Sequence, residues 1–321
     1  GDEYFGTHAG ELFSDLDVAV SGELVNEINR DWLSYWNCEL AVELSHIRGR
    51  SPTEAFIQRW QRQQQQEQVQ QLRDYVIKEP IKAEHSEEDW ITAKAVWISD
   101  DPQKASVSRK PQRLMTQQMT RILGRAQQQV RMVSPYFVPT SNGVRELEQL
   151  TEKGVDVQVL TNSLAATDVP AVHAGYQRSR RRLLMAGVKL FELRRLEDTT
   201  EQKAVRPYFR RSATSLHAKT ITVDEARVFV GSFNFDPRSA QINTEAGLII
   251  DSPQIAKRIN AIFEHELPLK SYQPRLNRFY KLYWLDKSKV PARRLYKEPN
   301  AGLARRILVW LTARLPVEHL L

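Results

Sequence analysis

The chain has 321 residues, 41% of them hydrophobic and 26% charged, which is the make-up of an ordinary globular protein with ample material for a core. Its 46 Lys and Arg against 39 Asp and Glu leave a net charge of +7, which favours acidic partners, either lipid headgroups or nucleic acid. The single cysteine, Cys38, excludes an intramolecular disulfide and fits a reducing compartment, and no run approaches the roughly 18 apolar residues of a membrane-spanning helix.

In chain order, Leu24 to Leu40 reads as an amphipathic helix with Trp32 and Trp36 on one side. Pro52 to Ile77 is rich in Gln and predicts a polar helix; Lys78 to Trp90 predicts a connector. From Ala93 to Ser99, a strand, the pattern begins to alternate. Helices are expected at Pro111–Gln128, Asn142–Lys153, Val169–Ala186 and Pro253–Leu267. Between them lie the strands Val130–Ser134, Val155–Asn162 and Val188–Leu193. Gly154 and Gly187 sit where helix C-terminal caps are needed. Such alternation implies an α/β fold, a layered lobe whose mixed β-sheet is flanked by helices.

The most informative run lies between Leu216 and Glu245. Leu216–Val223 and Val228–Asn234 read as two strands around a four-residue loop, Asp224–Arg227. Pairing across that loop puts His217 opposite Asn234 and Lys219 opposite Ser232, all four on one face. An imidazole can attack phosphorus or move a proton near neutral pH. Lys219, Ser232 and Asn234 supply charge and donors for the oxygens of a phosphate. Glu245 falls on a strand-like run, Ile242–Ile250, in phase with Asn243. Its carboxylate is expected to accept the Nδ1 proton of His217 and set the tautomer. Asp224 is expected to do turn or salt-bridge work. The other histidines show no metal-ligand spacing, so neither metal nor cofactor is expected.

This run resembles the H-x-K-x4-D-x6-G-S-x-N signature of the phospholipase D superfamily, with Asp224 and Gly231 as its further members and Glu245 as the later acid. Ser134–Pro139, Gly154–Val157 leading to Thr161–Ser163, Asp168–Tyr176 and Leu315–Glu318 are similar to the bacterial cardiolipin synthase-like branch. The resemblance implies a covalent phosphohistidine formed without metal, and transfer of a phosphatidyl group to phosphatidylglycerol from a second glycerophospholipid donor. It further implies that Tyr136, His173 and Tyr176 line the substrate pocket; on the residues alone, His173 and Tyr176 equally suit a surface helix whose arginines form a solvated face. A peripheral position on the cytoplasmic face of a bacterial inner membrane follows from it as well. Nuclease activity is the alternative within the same superfamily, with nucleic acid the less favoured partner, and a catalytically incomplete membrane-binding lobe is another.

Members of this branch carry two copies of the signature, whereas this sequence holds one. Gly1–Gly6 resembles the stretch after a first copy, and Phe13–Val20 resembles the strand bearing that lobe's carboxylate, with Asp15 the equivalent of Glu245. The expected organisation is therefore a first-lobe remnant and helical connector (1–90), a second lobe with the His/Lys motif (91–268) and a basic-aromatic C-terminal extension (269–321). The second histidine is expected from a homodimer partner or from a missing N-terminal lobe, and the chain alone is expected to be weakly active or inactive.

In the extension only Asp286 and Glu298 oppose a run of basic residues between 270 and 306, with Tyr272, Phe279, Tyr280, Tyr283 and Trp284 interleaved. Rings and cations so mixed suit a membrane interface or a solvated basic tail. Leu303, Ile307, Trp310 and Leu311 share one helical face, with Arg305, Arg306 and Thr312 on the other. That pattern suits an interfacial helix, or one docked on its own domain.

Overall fold

The computed structural model describes residues 15–43, 90–106, 113–195 and 216–314, with isolated positions besides. The Gln-rich stretch is described only at isolated positions, and the connector up to residue 89 and the segments 1–14 and 315–321 lie outside the described residues. The chain divides into two compact units, residues 1–34 with 94–321, and Tyr35–Ala93. The larger unit carries the His/Lys motif.

Helix α1 (Leu24–Trp36) is shorter than the periodicity predicts and buries none of its side chains. Strand β1 (Lys94–Ser99) leads through a short 3₁₀ turn, Pro102–Ala105, to α2 (Met115–Gly124). Next come β2 (Gln129–Val133), α3 (Ser141–Glu152), β3 (Asp156–Asn162), α4 (Pro170–Met185) and β4 (Lys189–Leu193). Thr140 caps α3 by accepting from the Gly143 amide, and Gly154 and Gly187 take φ of +87° and +92° just past α3 and α4, as a helix stop requires.

The hairpin that carries the motif is β5 (Thr220–Val223) and β6 (Arg227–Gly231). Its register differs from the expected one. Thr220 pairs with Val230 and Val223 with Arg227, so the connection is one residue shorter. The cause is the turn: Asp224 and Glu225 both take positive φ, +52° and +50°, and the Ala226 amide donates to the Val223 carbonyl at 3.1 Å. Two left-handed residues make a tight hairpin turn that matches strand twist. The Asp224 carboxylate then accepts from the amides of Gln127, Gln128 and Gln129 at 2.9, 2.7 and 3.0 Å. Those bonds tie the turn to the start of β2, so Asp224 does turn work.

A short helix, α5 (Pro237–Gln241), precedes β7 (Ala246–Asp251), and α6 (Pro253–Ala261) continues through a π turn, Ile262–Glu266, into α7 (Leu267–Lys270). The extension holds further strands, β8 (Ser271–Leu276), β9 (Leu282–Asp286) and β10 (Arg293–Leu295), and then α8 (Leu303–Thr312). The sheet runs β1-β7-β6-β5-β2-β3-β4-β8-β9-β10. Its parallel centre is β2-β3-β4; every other neighbour is antiparallel. The sheet of the motif lobe thus continues directly into the basic-aromatic extension.

Both faces of the sheet are covered. Met115, Met119, Leu123, Leu147 and Leu150 of α2 and α3 pack with Ile221 and Phe229 on one side. Ile259 and Phe263 pack with Leu216, Ala218, Val228 and Val230 on the other, where Leu16 and Val18 join them.

A buried ionic cluster locks the extension to α4 and β4. Arg180 donates to Glu192 at 3.0 Å and to Glu298 at 2.7 Å, and the indole of Trp284 donates to Glu192 at 2.8 Å. Asp286 pairs with Arg194. Burial alone would raise the Glu298 carboxyl, but Arg180 and His173 outweigh it and hold the group below the usual carboxylate range. Removing one member strands buried charge, so Glu298→Gln is expected to cost about 3 kcal/mol at neutral pH. Because the folded value is depressed, that contribution is present above the ordinary glutamate value and lost as pH falls below about 4. Urea unfolding of wild type and variant checks this: their midpoints should differ at pH 7 and converge in acid.

Candidate active site

His217 stands just before β5, where Asn162 at the end of β3 holds the chain. Its side chain donates to the Leu216 carbonyl at 3.4 Å and accepts from the Leu216 amide at 3.1 Å. The imidazole is half exposed, and its Nδ1 lies 2.7 Å from Oδ2 of Asp15. An ionised carboxylate can only accept, so the proton of this bond sits on Nδ1. The tautomer-setting role expected of Glu245 thus falls to Asp15, a residue 202 positions away in sequence.

Glu245 is buried and held otherwise. Its Oε2 accepts from the Ser232 hydroxyl, and its Oε1 accepts from the Ser239 hydroxyl at 2.7 Å. Asp100 fixes its backbone, accepting from the Glu245 amide at 2.9 Å, while the Asp100 amide donates to the Glu245 carbonyl at 2.8 Å. Asp100 also accepts from Lys104 at 2.7 Å and from the Met115 amide at 2.7 Å. Sequence reasoning missed Asp100, Lys104, Asp236 and Ser239. The signal for the last two was present, since Asp236-Pro237 is a helix-start signature and Asp236 accepts from the Ser239 amide at 2.7 Å.

Lys219 is almost fully buried, and its ammonium donates to the His217 carbonyl. Burial pushes it below the ordinary lysine value, although Asp15, Glu245, Asp236 and Asp168 pull the other way. In the observed register it lies beside Gly231, whose amide donates to the Lys219 carbonyl at 3.2 Å, and Ser232 is not opposite it. Gly231 is required by packing: a Cβ there would meet the Ala246 carbonyl oxygen at 2.4 Å and Gly247 Cα at 2.6 Å. Asn234 keeps a buried side-chain oxygen without a hydrogen-bond partner. A half turn about its last torsion would present the amide donors instead. An orphaned polar end of this kind suits a ligand that brings its own hydrogen-bonding groups.

Asn243 is not on a strand with Glu245. It follows α5, and its amide donates to the Arg238 carbonyl at 2.8 Å, because the helical turn started by the Asp236 cap and Pro237 runs up to it and β7 begins only at Ala246. Tyr136 donates to Asp168 at 2.8 Å, and Ser134 bridges this segment to the motif by accepting from the Phe235 amide at 3.0 Å. His173 and Tyr176, expected to line the pocket, are 2% and 1% exposed and belong to the buried ionic cluster instead. Tyr176 donates to Glu192 at 3.0 Å, and His173 lies 3.6 Å from Glu298. Of the arginines around them, Arg180 is buried while Arg178, Arg181 and Arg182 are exposed.

A histidine paired with a carboxylate, a buried lysine and a serine-held glutamate, carried just before β5 and β7 and just after β6, have the chemistry that a phosphate-handling site of the phospholipase D type needs. Comparison with known proteins agrees. Residues 119–267 match the family model described as cardiolipin synthase, PLD-like domain. The chain is 37% identical to cardiolipin synthase C of Escherichia coli K12, over all of this chain and 69% of that protein. It is 25% identical to cardiolipin synthase B of Shigella flexneri, over 77% of this chain and 46% of that protein. The fold is like that of phosphatidylserine synthase from Haemophilus influenzae, with TM-score 0.51 at 15% identity, over 93% of this chain and 62% of that one. The chain belongs to the cardiolipin synthase-like branch of the phospholipase D superfamily, a superfamily of enzymes.

If Asp15 sets the tautomer, long-range ¹H–¹⁵N spectra of wild type at neutral pH should show His217 protonated at Nδ1. In Asp15→Ala that preference should be lost, giving a mixture or the Nε2–H form. An unchanged spectrum would assign the orientation to another group.

Proposed function

We propose that this site transfers a phosphatidyl group to phosphatidylglycerol through a phosphohistidine, in a two-histidine site to which this chain contributes His217. The observation that carries the reading is the Asp15–His217 pair beside the buried Lys219. The names of the relatives support a phospholipid substrate. A second histidine, from another lobe or another copy of the chain, attacks phosphorus, and the bond from phosphorus to the headgroup oxygen breaks. His217, protonated at Nε2, gives that proton to the leaving alkoxide. It then takes a proton from a phosphatidylglycerol hydroxyl, which attacks phosphorus and releases the first histidine. Asp15 stabilises the imidazolium form that His217 holds before the first transfer and regains after the second.

Lys219 meets the non-bridging oxygens, where a desolvated charge acts more strongly than in water. Asn234 adds donors for those oxygens, and Glu245 is held ready for the second histidine by Ser232 and Ser239. The work is done at the surface of a bacterial membrane, on its cytoplasmic face. No helix among the described residues is long and apolar enough to cross a membrane, which is compatible with a peripheral position.

On phosphatidylglycerol vesicles, with the second histidine supplied, His217→Gln should lower cardiolipin formation by roughly 10³-fold or more while leaving the fold intact. Cleavage of single-stranded DNA with phospholipids untouched would favour the nuclease reading. Lys219 must be protonated to act and burial lowers its pKa, so activity should decline on the alkaline side below the ordinary lysine value of about 10.4. Lys219→Arg, which stays charged, should lose that alkaline limb from its pH profile whatever activity it keeps.

A further inference from the structure

Helix α8 is turned the opposite way from an ordinary surface helix. Its arginines face the protein: Arg305 donates to the Thr167 carbonyl, and Nε of both Arg305 and Arg306 is buried. Val309 is fully buried against Leu164 and Ala174, and Arg178 holds the Ala313 carbonyl at 2.8 Å. The face left outward is apolar. Leu303, Ile307, Leu308, Trp310 and Leu311 are 68%, 49%, 52%, 55% and 52% exposed. A cluster of large apolar side chains kept in water, while polar ones are turned inward, marks a surface that something covers.

The charge of the segment that carries this face selects the occupant. Both acids among residues 270–314 are drawn inward, Asp286 to Arg194 and Glu298 to Arg180. The exposed charges of the segment are therefore cationic, Lys281, Lys287, Lys289, Arg293, Arg294 and Lys297 among them. Arg314 stacks over Trp310 at 3.4 Å, which places a cation on the apolar face itself. An apolar face with Arg314 upon it, in a segment whose exposed charges are cationic, fits an anionic bilayer, with rings and aliphatic chains at the headgroup boundary.

We propose that α8 is the element that lays this protein on an anionic membrane, its outward face inserted into the interface. The inference rests on the phospholipid reading and adds the docking element to it. Arg305 also connects α8 to the site: it holds Thr167, next to Asp168, whose charge acts on Lys219 and whose carboxylate receives the Tyr136 hydroxyl.

Flotation with phosphatidylcholine vesicles, with and without phosphatidylglycerol, tests this. Trp310→Gln combined with Leu311→Gln should lower the fraction bound to phosphatidylglycerol-containing vesicles about tenfold or more, since two exposed side chains lose their insertion. Val96→Gln on the exposed edge strand β1 should bind like wild type. Equal flotation of wild type and the α8 variant, or flotation of neither, overturns the proposal. So does a change in sedimentation mass with flotation unaltered, which would mean that a second copy covers the face. Turnover of a short-chain phosphatidylglycerol below its micelle concentration, with the second histidine supplied, separates the two claims. The α8 variant should retain that turnover, and a wild type that ignores this substrate sinks the phospholipid reading without touching the docking result.

Discussion

Everything at the site depends on how closely β6 and β7 approach at their ends. Gly231 pairs with Gly247, and neither has room for a side chain: a Cβ at Gly247 would meet the Phe229 ring at 2.5 Å. That approach lets the Ser232 amide donate to the Ala246 carbonyl at 2.9 Å and the Ala246 amide donate to the Ser232 hydroxyl at 3.0 Å. Ser232 is then oriented to bind Glu245, and Glu245 is drawn beneath the motif. A bulkier residue at position 231 would part the strands and take the carboxylate with them.

The second organising force is charge in a place with little water. Lys219 and Glu245 are each about nine-tenths buried, and isolated ions there would be strongly disfavoured. Asp15, Asp236 and Asp168 share the neighbourhood of Lys219 and keep it from being an uncompensated cation. Burial also pushes the Asp236 carboxyl upward, with Glu245 adding to the shift against the opposing bonds from Ser239.

Much of this was legible in the sequence, and the exceptions are instructive. The β/α alternation and the Gly154 and Gly187 stops follow from periodicity and turn chemistry. The register was not legible, because nothing in Asp224-Glu225-Ala226 signals two consecutive left-handed residues the way Asn-Gly does. The partner of His217 lies in a segment remote in sequence, and local pattern carries no information about such pairings. His173 and Tyr176 were misplaced because a helix can turn polar residues inward when another segment supplies Glu298 and Trp284. Interleaved cations and rings hid β8–β10, whose backbone bonds, more than their side-chain pattern, make them part of the sheet.

His217, held by Asp15, converges with Lys219 and Asn234, on this view, on one oxyanion. A crystal structure with bound tungstate, a phosphate mimic, tests that convergence most directly. The oxyanion is expected within hydrogen-bonding distance of His217 Nε2 and Lys219 Nζ, with the Asn234 amide turned toward it and Asp15 still on Nδ1. Tungstate bound elsewhere, or His217 released from Asp15 when it binds, would contradict it.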